Sequence, residues 1–466
     1  MIRFHNTLTK TTENFKPINS GEVKMYHCGP TVYDRVHIGN LRSFFLADLL
    51  HRLFLYEEYE VHQIINITDI GQLSSDDDSG EDKMTKGLRR EGKPITLEAM
   101  RELASFYTER FQEDIRGLNI LDPEAFPKAS EHLPEQIKLI EELESKGFTY
   151  KTGDGIYFDT SKDADYGKLG GTTAESNQME SRIGENSEKR NPRDFALWKL
   201  NDSIGFESPW GQGFPGWHIE CSAMSVKYLG QPFDIHTGGI DLAPIHHNNE
   251  IAQSESACGY PLANYWLHNE FLNIKDAKMA KSEGNFLTLD SIKEKGFSPL
   301  AYRYFLLGSH YRTPTNFSWE ALESAENAYK RLKLFMLFLD KQITEGETGS
   351  INENYKREFK ETLENDLNTP EALAVVWKLS KNAGDDISYA DARATLLDFD
   401  RILGLSLAQN EFEIKHIPED IQTLLQSRQR AREAKDWAKS DTLRSEIESK
   451  GYKVKDTDNE QTIERA

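Results

Sequence analysis

In the first seventy residues, the spacing of apolar side chains changes from that of a strand to that of a helix and back again. Residues 23–28 and 61–67 are apolar runs of strand length, and residues 39–56 between them are apolar almost all round the helical period. A helix with so little polar surface is buried against other elements. A strand, a buried helix and a second strand in succession are the opening of a doubly wound parallel sheet, whose ligands gather at the carboxyl ends of its strands.

The pattern then predicts an interruption of this sheet and a change of architecture. Charged helical spacing over residues 95–118 leads into a polar, irregular stretch up to about residue 192, which we interpret as an insertion between two halves of the sheet. Residues 233–236 return to strand spacing. Beyond residue 299, amphipathic spacing over 320–339 and 369–403 predicts a helical bundle, followed by a small basic tail.

Composition narrows the class of protein. A chain of 466 residues is too long for one ordinary core and indicates several domains. No apolar run approaches the roughly 18 residues of a membrane helix, residues 1–10 lack the apolar stretch of a secretory signal, and there are three cysteines. We therefore expect a cytoplasmic protein with no membrane partner.

The net charge of −21 argues against a polyanionic partner only weakly, because exposed charges are screened within about 8 to 10 Å. Residues 427–455 carry nine basic and five acidic side chains, so a local surface could bind RNA. A solvated helix of mixed charge is the alternative interpretation.

Side chains that bind metals are scattered along the chain: Cys28, Cys221, His246 or His247, and Glu250. His246 and Glu250 are four residues apart and would share one helix face, as two ligands of one metal must. Thiolate, imidazole and carboxylate together favour zinc. The spacing alone leaves open which histidine binds, and whether the cysteines are simply small buried side chains.

Two further motifs have the chemistry of nucleotide sites. His37-Ile38-Gly39-Asn40 stands at the predicted start of the buried helix, where free N–H groups and the helix dipole favour phosphate. Gly39 lets a base lie close to the backbone. The second motif, Lys278-Met279-Ala280-Lys281-Ser282, supplies two cations that can meet charge developing on phosphate oxygens.

In this order, these motifs resemble class I aminoacyl-tRNA synthetases, specifically the cysteinyl-tRNA synthetase family. The resemblance runs nearly end to end, in residues 25–34, 37–40, 66–69, 216–224, 234–236, 246–253 and 278–285. It implies that cysteine and ATP, with Mg²⁺, give cysteinyl-adenylate and pyrophosphate. The cysteinyl group then passes to the 3′ end of cysteine tRNA. The protein is expected to act as a monomer.

The resemblance also implies roles for individual residues. The zinc ligands are Cys28, Cys221, His246 and Glu250. The catalytic residues are His37, Asn40, Lys278 and Lys281, and ATP is bound by His37, Gly39, Asn40 and Lys281. The cysteine pocket contains Gly29, Thr68, Trp217, His236 and Asp241. The tRNA is bound by Arg428, Arg432, Lys435 and Trp437. Zinc accepts a thiolate far better than a hydroxyl, so this site would reject serine without an editing step.

The implied domains follow the pattern changes. The catalytic domain comprises residues 1–115 and 206–260, interrupted by a connective insertion at 116–205. A stem-contact region with the lysine motif covers 261–315, the helical bundle 316–405 and the anticodon-binding tail 417–466.

Three features depart from the usual family pattern. Asn40 stands where a second histidine is usual, and it can donate a hydrogen bond but carries no proton for transfer. Ala280 replaces a serine between the two lysines. An acidic stretch, residues 76–82, lies where the family sequence is usually shorter, and we interpret it as a solvated loop. We expect activity to survive the changes at Asn40 and Ala280.

Two other functions remain open at this point. A related ligase joins activated cysteine to an amino sugar with the same zinc and ATP motifs, but it lacks the basic tail. A non-catalytic RNA-binding paralogue would have lost zinc or phosphate residues, and here only Asn40 and Ala280 are altered.

Overall fold

The computed structural model describes residues 1–71, 82–170, 188–274, 287–408, 419–434, 436–450, 452–456 and 461–465. The chain divides into two compact units, Met1–Ser406 and Leu407–Ala466. The domain boundaries predicted within the first unit stay a prediction.

The first unit opens with a hairpin and one strand–helix–strand crossover. Its elements are β1 (Arg3–Asn6), β2 (Thr11–Asn14), β3 (Glu22–His27), α1 (Ile38–Tyr56), β4 (Glu60–Ile65), α2 (Lys83–Arg90) and α3 (Leu97–Gly117). β3 and β4 are parallel, and α1 between them is buried on nearly every face. The predicted strand, buried helix and second strand are confirmed to within about two residues at each end.

Between α3 and the return to the parallel sheet, the chain forms a small antiparallel sheet, whose last strand lies beyond the predicted insertion of residues 116–205. After α4 (Leu133–Ser145) come β5 (Thr149–Thr152), β6 (Gly155–Phe158), β7 (Phe195–Leu200) and β8 (Gly213–Pro215), which pair in chain order. Leu197 and Trp198 of β7 pack in one core with Ile140 and Leu143 of α4.

The chain then returns to the parallel sheet. Its next elements are α5 (Trp217–Leu229), β9 (Phe233–Gly239), α6 (Asn248–Cys258), β10 (Ala263–Asn269) and β11 (Leu272–Ile274). The completed sheet has the order β10–β9–β3–β4, with every pair parallel. The predicted α/β class is therefore confirmed. Because β9 lies beside β3, residues from the two halves of the chain meet at one sheet edge.

The rest of the first unit is mainly helical. It comprises α7 (Leu289–Glu294), α8 (Pro299–Leu307), β12 (Thr315–Phe317), α9 (Trp319–Gln342), α10 (Glu353–Glu364), α11 (Thr369–Asn382) and α12 (Tyr389–Leu403). The helical pattern over 369–403 is two helices, because Gly384 turns the chain at φ +92°. A Cβ there would lie 2.5 Å from the Tyr389 hydroxyl, so only glycine fits.

The second unit is small. It contains α13 (Glu419–Glu433), α14 (Trp437–Ser449) and an antiparallel pair, β13 (Tyr452–Asp456) and β14 (Gln461–Arg465). Ile421, Ile447 and Val454 form its core.

Candidate active site and metal centre

A cleft opens at the carboxyl ends of the parallel strands, with a volume of ≈ 1430 Å³. Cys28 follows β3, Gly239 ends β9 and Asn269 ends β10, and all three line it. His37 and Asn40, at the start of α1, line the same cleft. The structure therefore brings the cysteine-containing stretch and the first nucleotide motif to one opening, as expected for a doubly wound sheet.

Four buried side chains at the base of this cleft place their ligand atoms together. The ligand atoms of Cys28, Cys221, His246 and Glu250 all lie within 4.8 Å of one another. Cys28 Sγ is 4.0 Å from Cys221 Sγ and 3.5 Å from Glu250 Oε1. His246 Nε2 is 3.0 Å from Glu250 Oε1, but it has no hydrogen bond of good geometry among the described residues. At this distance a protonated His246 forms an ion pair with Glu250, and the same two atoms can bind one ion once His246 has lost its proton.

These separations fit a tetrahedral zinc site. With Zn–S bonds of about 2.3 Å and Zn–N or Zn–O bonds of about 2.1 Å, tetrahedral geometry separates two sulfurs by about 3.8 Å. The same geometry gives about 3.6 Å between sulfur and oxygen and about 3.4 Å between nitrogen and oxygen. The observed 4.0 and 3.5 Å are within about 0.2 Å of these values, whereas the 3.0 Å between nitrogen and oxygen is about 0.4 Å shorter. The residues present therefore fit a metal with mixed thiolate, imidazole and carboxylate ligands.

A second set of ligand atoms overlaps the first. Cys28 and Glu250 also lie within 4.8 Å of His236 and His247. His236 Nε2 is 2.9 Å from Glu250 Oε2, and His247 Nδ1 is 2.7 Å from His268 Nε2. Cys28, Cys221 and His246 line the cleft, whereas His236 and His247 lie behind it with 0% exposure. An ion on the first set would be open to a ligand in the cleft, so the geometry favours His246 over His247.

The ionisable side chains of this cluster shift the pKa values of one another. Burial alone would raise the pKa of Glu250, but His236 and His246 lower that pKa to about 2. Burial alone would lower the pKa of His246, yet Glu250 raises it to about 10. The hydrogen bond from Cys28 lowers the pKa of the Cys221 thiol, while burial raises the pKa of Cys28. The cluster thus favours one thiolate and one carboxylate beside a protonated His246, and a metal would displace that proton when it binds.

The start of α1 presents donors to the cleft. His37 is the N-cap, and its Nδ1 accepts a hydrogen bond of 3.0 Å from the Gly39 N–H. Burial lowers the pKa of His37, so the ring is neutral near pH 7. Since Nδ1 is an acceptor, the proton of the neutral ring is on Nε2, where it can be donated to a ligand.

The second motif lies outside the described residues, and so do Lys278, Lys281 and Ala280. The chain on either side of it is described. β11 ends at Ile274, which lines the cleft, and the Leu287 carbonyl accepts a 2.8 Å hydrogen bond from the Ile38 N–H in the first turn of α1. Residues 72–81 of the acidic stretch also lie outside the described part.

Of the five residues predicted for the cysteine pocket, three line the cleft and two do not. Gly29 lines the cleft and donates from its N–H to Asn66 Oδ1 at 2.8 Å. The Trp217 ring lies 4.2 Å from the His246 ring, centroid to centroid, and also lines the cleft. Asp241 lines the cleft, while Thr68 lies deeper and donates to Glu220 Oε2 at 2.9 Å. His236 contacts Glu250 rather than the open cleft.

Sequence reasoning missed several residues that support the site. Asn66 Oδ1 binds the Gly29 N–H and lies 3.7 Å from Cys221 Sγ. His218 Nδ1 lies 2.9 Å from His246 Nδ1, and Glu220 has 0% exposure. His218 and Glu220 both precede Cys221 on α5, a helix that the pattern around residues 210–239 did not predict. Polar side chains in so apolar a helix were the available signal.

The predicted tRNA contacts in the second unit differ in exposure. Trp437 is 60% exposed, Arg432 is half-buried and Lys435 lies outside the described residues. Arg428 is 2% exposed, which leaves its guanidinium little surface for RNA. Of these residues, Trp437 is therefore the best placed for stacking on a base.

Among the described residues, no helix has both the length and the apolar character to cross a bilayer.

Comparison with known families identifies the class of protein. Residues 14–327 match the family model for the catalytic domain of tRNA synthetases class I (C). Residues 358–408 match the DALR domain, and residues 415–463 match the cysteinyl-tRNA ligase anticodon binding domain. In fold, the chain is similar to a methionyl-tRNA synthetase of Mycobacterium tuberculosis solved with methionyl-adenylate. The TM-score is 0.55 at 16% identity, covering 82% of this chain and 90% of that one.

Curated relatives narrow the class further. The chain is 44% identical to cysteine–tRNA ligase 1 of Burkholderia lata, over 98% of this chain and 95% of that protein. It is 41% identical to the cysteine–tRNA ligase of Treponema denticola, over 98% of each chain. The chain therefore belongs to the class I tRNA synthetases and, within them, to the cysteine–tRNA ligase family.

Proposed function

We propose that the protein activates cysteine with ATP and transfers it to the 3′ end of cysteine tRNA. The observation that carries the proposal is the position of the buried cluster of Cys28, Cys221, His246 and Glu250. It lies at the base of the cleft that also contains the start of α1. A site for sulfur and a site for phosphate in one opening suit the joining of cysteine to ATP.

We propose zinc for the cluster, held by Cys28, Cys221, His246 and Glu250. Bound there, zinc would hold the substrate sulfur as a thiolate and so distinguish cysteine from serine. The separations of the ligand atoms support this choice. His236 would orient Glu250 through its 2.9 Å contact, and His218 would fix the ring of His246.

The protein's own groups would position the rest of the substrate. Trp217 would cover the side of the cysteine pocket, and the exposed carboxylate of Asp241 in the cleft would meet the substrate ammonium. Gly29 and Thr68 would shape the pocket floor through Asn66 and Glu220.

The nucleotide would lie along the start of α1. As cysteine carboxylate attacks the α-phosphate and pyrophosphate leaves, the developing charge requires fixed donors. His37 Nε2–H, the Asn40 side-chain amide and the positive end of the α1 dipole would supply them on this side, because the main-chain N–H groups of Ile38, Gly39 and Asn40 already donate within the protein. Lys278 and Lys281 remain the predicted donors on the other side, with Mg²⁺ accompanying ATP.

The second unit would hold the tRNA, with Trp437 as a stacking platform beside Arg432 and Lys435. The match of residues 415–463 to the anticodon binding domain supports this role. It also disfavours the amino-sugar ligase, which lacks such a tail. We further propose a cytoplasmic monomer, to be checked by cell fractionation and by light scattering of the purified protein.

Aminoacylation by the purified protein tests the proposal. We expect charging of cysteine tRNA with cysteine and not with serine, and loss of charging after removal of zinc with a chelator. Readdition of zinc should restore it. Cysteine-dependent pyrophosphate exchange without any transfer to tRNA would instead indicate the amino-sugar ligase, and the absence of both reactions would refute the proposal.

A further inference from the structure

Arg42 lies one turn into α1 and is 3% exposed. Among the described residues it makes five hydrogen bonds, all to main-chain carbonyl oxygens. Nη1 donates to Glu270 at 2.9 Å and to Phe271 at 2.8 Å. Nη2 donates to His310, Tyr311 and Thr313 at 3.2, 3.3 and 2.7 Å. A planar guanidinium suits such a cage because its donors point in fixed directions.

These carbonyls belong to two segments that meet at the start of a strand pair. Residues 270–271 connect β10 to β11, and residues 310–313 connect α8 to β12. The Glu270 N–H donates to the Tyr311 carbonyl at 2.9 Å, and the Thr315 N–H donates to the Phe271 carbonyl at 3.0 Å. β11 and β12 then run in parallel. Arg42 therefore joins α1 to the point from which both strands begin.

This junction faces the nucleotide part of the cleft. Phe271, Leu272 and Ile274 line the cleft together with His37 and Gly39. A Cβ placed on Gly39 would lie 3.9 Å from the Leu272 Cβ, so the β11 wall is close to the first turn of α1. The hydrogen bonds of Arg42 to the junction therefore set the distance between the first turn of α1 and β11.

Asn269 and Arg42 both donate a hydrogen bond to the main-chain carbonyl of Glu270. Its Nδ2 donates to the Glu270 carbonyl at 3.2 Å, and its side chain lines the cleft. Its Oδ1 is buried and has no hydrogen-bond partner among the described residues. A buried acceptor beside a binding cleft is satisfied when a ligand brings a donor. ATP brings such donors in its ribose hydroxyls and its adenine amino group.

We propose that Asn269 contacts the nucleotide and that Arg42 is the positioning residue that holds Asn269 and the β11 wall against the start of α1. The proposal deepens the proposed function and rests on it. Arg42 acts on ATP binding and on activation, not on the capture of cysteine by the metal cluster.

The test uses Arg42→Lys, which keeps the charge but loses the planar fork. Arg52→Lys is the control, because Arg52 is also a buried arginine of α1 that donates to main-chain carbonyls, those of Arg401 and Asn119, and it pairs in addition with the Asp48 carboxylate. Arg52 does not line the cleft. Thermal unfolding first verifies that both variants fold. Cysteine-dependent pyrophosphate exchange is then measured against ATP and against cysteine.

For Arg42→Lys we expect the KM for ATP to rise at least about tenfold, which corresponds to one or two lost hydrogen bonds. The KM for cysteine and the zinc content should stay within twofold of wild type. Asn269→Ala should shift the same KM in the same direction. If Arg42 acts through Asn269, the double variant should be little worse than Arg42→Lys alone.

Four kinetic results would overturn the proposal. Three of them are an unchanged KM for ATP in Arg42→Lys, equal rises in the KM for ATP and for cysteine, and fully additive effects of the Arg42 and Asn269 changes. A similar KM rise in Arg52→Lys would also overturn it, because the effect would then reflect general loosening of α1. Absence of exchange in the wild type would count against the proposed function instead.

Hydrogen exchange of the wild-type protein gives a second test that needs neither the activity nor a folded variant. The amides of Glu270 and Thr315, which bond across the junction, should be protected as strongly as those of the central strand β3. Exchange as fast as that of exposed loops would show that the junction is not fixed, and would refute the role of Arg42.

Discussion

Replacement of Gly29 by alanine would test whether the end of β3 sets the geometry of the cysteine pocket. A Cβ on residue 29 would lie 1.5 Å from the Asn66 carbonyl oxygen and 2.6 Å from its carbon. Side-chain carbons rarely approach backbone oxygens closer than about 3.2 Å, so the two segments must separate by roughly 1.5 to 2 Å. Asn66 also binds the Gly29 N–H and lies beside Cys221, so the displacement reaches the metal cluster.

A misplacement of about 1 Å near reacting groups costs on the order of 100-fold in rate, or about 2.7 kcal/mol. We therefore expect Gly29→Ala to lower kcat/KM for cysteine at least about 100-fold in pyrophosphate exchange, with a smaller effect on the KM for ATP. Gly117→Ala is the matched control, since a Cβ there would make an ordinary 3.4 Å contact with Leu289 at the end of α3. Wild-type kinetics in a folded Gly29→Ala protein would refute the reasoning.

Three further predictions concern the metal, the core and the tRNA. Cys28→Ser should lower bound zinc from one ion per chain to near zero by elemental analysis, whereas Cys258→Ser, outside the cluster, should leave it unchanged. Asp48→Ala would leave the fully buried Arg303 guanidinium without its 2.6 Å carboxylate partner. It should lower the free energy of unfolding by about 3 to 5 kcal/mol in urea titrations, and a loss below 1 kcal/mol would contradict this. Trp437→Ala should raise the KM for tRNA several-fold and leave pyrophosphate exchange intact, and a reduced exchange rate would argue against a role confined to tRNA.

The start of the sheet was predictable because its signal is local. Apolar runs over 23–28, 39–56 and 61–67 have the periods of a strand, a buried helix and a strand, and no polar residue in them demands another arrangement. The helix α5 was not predicted. It is buried on most faces, so its apolar residues show no one-sided helical period, and the glycines and prolines before it suggested turns.

The metal cluster could be predicted only as a set of candidates. His246 and His247 are adjacent in sequence and both are buried within reach of Cys28 and Glu250. Each contacts another histidine through Nδ1, His246 with His218 and His247 with His268, so what separates them is that His246 lines the cleft and His247 does not. Such contacts depend on residues far away in the chain, so spacing carries no information on them. The resemblance to a family, not periodicity, supplied the ligand set.

The order β10–β9–β3–β4 also has a consequence for synthesis of the protein. Cys28 and Cys221 are 193 residues apart, and they become neighbours only when α5, which precedes β9, has packed against the strands β3 and β4. A nascent chain that has emerged only as far as the insertion thus carries one metal-binding thiol on an unfinished sheet. Such a sheet edge is open to pairing with other chains. Metal capture must follow emergence of Glu250 from the ribosome, so uptake of zinc by the nascent chain would mark the moment when the two halves of the sheet have joined.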